Sequence, residues 1–179
     1  MSFSNKVSLL KSLEERPQKD WLRRINECQD EKVLKYFLKE ATNIEIQDNG
    51  EVLGILWECC QIPDFVKKTY GHHFEVVSKI FSFLTSRDKK VPNHYMKEQL
   101  SLLDKLDGNV DSLSNRIANV RTWAYVSNKS NWVENQDYWI ERTKNLEDKL
   151  SDRLHEELTK TFIDKRASVL ARGLKQDIT

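Results

Sequence analysis

From about Gln136 to about Arg172 the sequence reads as one unbroken helix. At about 1.5 Å per residue such a helix is on the order of 50 Å long. That exceeds the diameter of a small domain, so one end is expected to pack on something else. Its expected inner row is Trp139, Thr143, Leu146, Leu150, Leu154, Leu158 and Phe162. Ahead of it lies a polar, loop-like stretch, Asn128 to Asn135, and ahead of that a Trp-bearing helix. There Leu113, Ile117, Val120 and Ala124 recur at alternating spacings of four and three, a narrow packing seam. Gly108 ends the preceding helix, and Asn109 or Asp111 caps this one. The stretch Asp107 to Leu170 is therefore expected to organise the core.

Composition agrees with helix. Among 179 residues there are only five Gly and three Pro, fewer interruptions than a β-rich chain of this length would need. Further helices are expected around Val7 to Leu13, with Ser4 as cap, and around Trp21, Leu22 and Ile25. Another carries Val33, Leu34, Phe37 and Leu38 behind Asp30. Ala41 to Gly50 reads as a loop, and Glu51 to Cys60 as a buried helix broken at Pro63. Gly71 is expected to end a turn begun at Asp64, before a helix over His72 to Thr85. Pro92 opens the next, which carries Tyr95, Met96, Leu100, Leu103 and Leu106. The expected fold is all-α, an irregular bundle of about eight helices ending in one very long helix. Contacts along so long a helix favour a single domain over 1–179.

The charge balance narrows the function classes. With 29 basic and 28 acidic residues the formal net charge is +1, so any basic binding site must be a local patch. No stretch is long and apolar enough to span a membrane, and the N-terminus lacks the apolar core of a secretory signal. Three cysteines, Cys28, Cys59 and Cys60, are odd in number and include an adjacent pair, which speaks for buried reduced thiols rather than a disulfide framework. The expected compartment is the cytoplasm, with no membrane partner.

Catalytic motifs are not found. No glycine sits beside a Lys-Ser/Thr pair to cradle phosphate, and no GxGxxG occurs. His155-Glu156 lacks the second histidine of a zinc-binding HExxH; His72 with Glu75, or His72 and His73 with Cys60, could come together, but these are more simply solvated or capping histidines. Asp148 and Asp152 lie one turn apart beside Lys144, Lys149 and Arg153, the pattern of a solvated helix face. Trp57 and Trp123 read as core anchors rather than base-stacking platforms. Arginines are spread over the helical surfaces; Arg121 lies at the edge of the packing seam, one turn from both Ile117 and Tyr125.

Several blocks carry a family resemblance. They are Leu56-Trp57-Glu58-Cys59-Cys60-Gln61-Ile62-Pro63-Asp64-Phe65, Asp107-Gly108-Asn109-Val110-Asp111-Ser112-Leu113, Arg121-Thr122-Trp123, and the run from Glu147 to Glu156 continuing into Phe162-Ile163-Asp164-Lys165-Arg166. Together they resemble the C-terminal helical region of bacterial, especially alphaproteobacterial, relatives of the mitochondrial degradosome RNA helicase. These are superfamily-two DExH helicases, and the resemblance covers nearly the whole chain.

The resemblance implies an accessory helical domain that packs on two RecA-like motor domains and helps to form a path for single-stranded RNA. The motor domains are absent from this sequence, so it is expected to be an excised domain or a split or decayed gene product. ATP and magnesium would belong to that motor; no cofactor is implied for this chain, and no catalytic residue is carried over. The implied partners are RecA-like domains, single-stranded RNA or DNA, and an exoribonuclease. Arg116, Arg121, Arg142 and Arg166 are the expected nucleic-acid contacts. The rival expectation is a protein-interaction module that binds through one face of the long helix and has no nucleic-acid role.

Overall fold

The computed structural model describes residues 1–15, 18–22, 27–40 and 49–178. Among these the chain is all-α, with seven helices and no strand. They are α1 (Lys6–Glu14), α2 (Gln29–Glu40), α3 (Gly50–Cys60), α4 (Tyr70–Leu84), α5 (Asn93–Leu103), α6 (Val110–Asn128) and α7 (Gln136–Asp177). The expected helix about Trp21 to Ile25 lies partly outside the described residues, as does most of the expected loop from Ala41. The chain divides into two compact units, Met1–Pro92 and Asn93–Thr179.

The first unit is built on α3, which packs against both α2 and α4. Leu53, Leu56, Trp57, Cys59 and Cys60 of α3 are buried, as are Val33, Leu34 and Leu38 of α2. Trp57 is thus the anchor its size suggested. Cys28, by contrast, is exposed. An aromatic cluster joins α2 to α4: Tyr36 lies 3.7 Å and Phe37 5.4 Å from Phe74, ring centre to ring centre. Helix starts are set by short polar side chains accepting orphan amides. Asn5, one residue beyond the expected Ser4, forms a capping box with Ser8 at the start of α1. Asn49 caps α3, and Thr69 caps α4. Because Thr69 takes that role, α4 begins at Tyr70 and Gly71 falls inside its first turn instead of ending a preceding one. Gly50 has a steric reason to lack a side chain: a Cβ there would lie 2.6 Å from the Phe3 carbonyl oxygen.

The second unit is organised by α6 against α7, its most extensive pairing, with α5 packed on α6. Leu113, Ile117, Val120 and Trp123 of α6 are buried with Trp139, Thr143, Leu146 and Leu150 of α7. Gly108 adopts φ +115°, a left-handed value open to glycine, and Asn109 then caps α6 by accepting from the Ser112 amide at 2.9 Å. Buried hydroxyls in the seam are satisfied within their own helices. Thr143 donates to the Trp139 carbonyl at 2.8 Å, and Ser127 to the Trp123 carbonyl at 2.7 Å.

The inner row of α7 ends sooner than its spacing suggested. Trp139, Thr143, Leu146 and Leu150 are buried, Leu154 is half-buried, and Leu158 and Phe162 are exposed. The cause is helical geometry. At about 100° per residue, each step of four advances the row by roughly 40° around the axis, so Phe162 points roughly 160° away from Leu146. The face that does continue the core is closed by Arg153, whose guanidinium meets the Glu157 carboxylate at 3.0 Å.

Candidate nucleic-acid interface

The four arginines singled out from the sequence all belong to the second unit, and three of them already bind groups within it. Arg116, on α6, has a side chain only 18% exposed. Its guanidinium donates to the Lys105 carbonyl at 2.9 Å and to the Asp107 carbonyl, clipping the α5–α6 connection onto α6. Arg121, also on α6, donates from Nε to the Glu147 carboxylate on α7 at 2.9 Å. Arg142, on α7, donates to Asp104 at 3.1 Å, and Lys149, two turns later, reaches the other oxygen of the same carboxylate at 2.7 Å. Arg166 is exposed, with its guanidinium 5.8 Å from the centre of the Phe162 ring.

Asp104 is the electrostatic hub of this surface, and sequence reading did not single it out. It stands just past the last residue of α5, at the point where the chain turns away from the helix. Hydrogen bonds from Lys149 and then Arg142 hold its carboxyl below the ordinary carboxylate range, against the opposing effect of partial burial. Local periodicity gave no signal for it, because its partners lie 38 and 45 residues away along the chain.

Two further groups fix the start of α7. Asn93 accepts from the Trp139 indole nitrogen at 2.8 Å and donates to the Glu134 carboxylate at 2.9 Å, so one amide ties α5 to both the loop and the helix. Gln136 donates to the Ser127 and Lys129 carbonyls, covering the C-terminal end of α6. Lys129 stands over two rings, 5.5 Å from Tyr125 and 5.6 Å from Trp132. Trp123 is buried and lies 5.8 Å from Tyr95, edge to face, in the anchoring role expected of it.

The arginines do not form one patch. Arg142 and Arg166 are 24 residues apart on one helix, which separates them by about 36 Å along its axis. Arg121 and Arg142 are exposed enough for a phosphate to approach, but it would have to share or displace a carboxylate already in place. Surface ion pairs of this kind are worth about 1 kcal/mol or less, so exchange is energetically accessible. Among the described residues no group of three or more His, Cys, Asp or Glu is placed to hold a metal ion. No helix among them is long and apolar enough to cross a membrane. Comparison with protein-family models, curated proteins and solved structures finds no match to this chain.

Proposed function

We propose that this chain is an accessory helical module of an ATP-dependent RNA helicase, packing on RecA-like motor domains and touching single-stranded nucleic acid with low sequence specificity. The observation that carries the reading is the meeting of two resembling blocks. Arg121-Thr122-Trp123 and Glu147 to Glu156 are joined by the Arg121–Glu147 ion pair at 2.9 Å, and Trp123 is buried. Residues that make up the resemblance are thus working parts of the α6–α7 pair. In this reading ATP hydrolysis belongs entirely to the motor, and the module supplies backbone-directed contacts through Arg121 and Arg142, with Arg116 bracing the α5–α6 connection. Cation-to-phosphate contacts set affinity without reading sequence.

A second reading, a protein-interaction module with no nucleic-acid role, is favoured by the internal pairing of Arg116, Arg121 and Arg142. A titration with fluorescently labelled single-stranded RNA across a salt series separates the two. The proposed function expects binding that weakens linearly in log[salt], and an Arg121→Gln variant whose salt slope falls by about one. No binding even at low salt would remove the strand contact and leave the protein-interaction reading.

A further inference from the structure

Beyond Leu154, α7 carries an apolar face that none of the described residues covers. Leu158, Phe162, Ile163, Val169, Leu170 and Leu174 are 47–67% exposed. At about 100° per residue these six side chains fall within roughly 160° of arc, centred nearly opposite the stripe that Leu146 and Leu150 bury. This face is therefore not a frayed end of the core but a separate surface, more than four turns long.

Its charge differs from the rest of the helix. From Leu158 to Asp177 there are five cations, Lys160, Lys165, Arg166, Arg172 and Lys175, against two carboxylates, Asp164 and Asp177. From Gln136 to Glu157 the balance is reversed, seven carboxylates to four cations. Arg166 occupies the middle of the apolar face, one turn from Phe162, Ile163, Val169 and Leu170 alike, with its guanidinium stacked over Phe162.

We propose that this segment docks as a helix into an apolar groove of another protein, one whose rim is acidic and whose floor places a carboxylate opposite Arg166. Each alternative occupant meets an obstacle. A second copy would bring two strongly basic segments together and, paired antiparallel about the centre of the face, set Arg166 against its own counterpart. A bilayer would receive the six apolar side chains, but an in-plane helix would drive the centrally placed guanidinium toward the acyl region. A nucleic-acid strand would satisfy the cations and leave the aliphatic side chains wet. A groove with a buried carboxylate satisfies both, since a helix-in-groove contact takes anchors at turn spacing and a bidentate arginine pair fixes its register. The proposal does not depend on the helicase reading.

The test places a benzophenone photo-crosslinking residue at position 170 of the full chain, expressed in its own cell, and maps the adducts by mass spectrometry. The expected adduct lies in an acidic apolar groove of one other protein. Arg166→Glu should lower its yield at least tenfold, and changing the facing carboxylate of that groove to lysine should restore it. Circular dichroism of the Arg166→Glu chain, expected to be unchanged, confirms that the helix persists. Adducts to a second copy, to residues of the chain's own first unit, or to lipid overturn the proposal. So does the absence of any adduct, or a yield that Arg166→Glu leaves unaltered. With Arg166 in place, an absent adduct beside intact RNA binding defeats this inference alone; an adduct beside absent RNA binding defeats the strand contact alone.

Discussion

His73 is only 4% exposed, and its Nε2 has no hydrogen-bond partner among the described residues. Burial lowers its pKa; the neighbouring His72 acts in the same direction, while Asp64 and a hydrogen bond to the Ile62 backbone act against it. The folded state thus prefers the neutral ring. The unfolded chain has the ordinary value of about 6.5 and binds the proton first, so stability is full above that pH and is lost as pH falls below it. Thermal melts of the chain should show a falling midpoint between pH 7 and pH 5, and a His73→Gln variant should flatten that decline. A slope unchanged by the substitution would remove His73 as its source. The sequence reading favoured a solvated or capping role for the His72-His73 pair, yet the periodicity was there to use. His73, Val77, Ile80 and Leu84 are spaced by four, three and four, the same seam pattern that located the core of α6. Trp57 and Trp123 were legible because an aromatic of that size on a helical stripe has few places to go except inward.

The longest element divides into two physical regimes. In its first half, α7 buries Leu146 and Leu150 to 1% exposure or less; in its second half Leu170 is 66% exposed. Truncating a buried leucine removes transfer free energy and leaves a cavity, so Leu150→Ala should cost about 2–5 kcal/mol. Leu170→Ala touches no core and should stay within about 0.5 kcal/mol. Urea unfolding of the two variants measures the contrast directly. Equal costs would mean that the tail is covered in solution. The existence and length of this helix were plain in the sequence because nothing between Gln136 and Arg172 interrupts it. The place where its core face ends was not, because a row drawn in steps of four looks continuous on paper while it winds around the cylinder. Only the steps that mix three with four stay on the buried side, and those lead to Arg153 and Glu157, where the ion pair replaces apolar packing.

At the scale of the whole chain, each unit has its own core and its own response to acid. The first holds His73; the second holds Asp104, whose pairing with Lys149 and Arg142 no local pattern could reveal. The arginines of the candidate interface were legible as residue types on helix surfaces, but whether each faced solvent or a carboxylate depended on residues 26 and 38 positions away. Asp104 has a folded pKa below its ordinary 3.8, so its contribution is present above about pH 3.8 and is lost only as pH falls below that value. Asp104→Asn should therefore cost at most about 1 kcal/mol at pH 7, given how exposed its partners are, and progressively less as pH falls below about 3.8. The two windows open at different pH, below about 6.5 for His73 and below about 3.8 for Asp104. Hydrogen exchange followed by mass spectrometry across an acid series, corrected for the intrinsic pH dependence of exchange, should show protection in α3 and α4 weakening first, below about pH 6.5. Protection in α6 and the first half of α7 should persist until the carboxylates protonate. Simultaneous loss in both units at one pH would show that they unfold as a single cooperative body, and the His73 titration would then govern the stability of the α6–α7 pair as well.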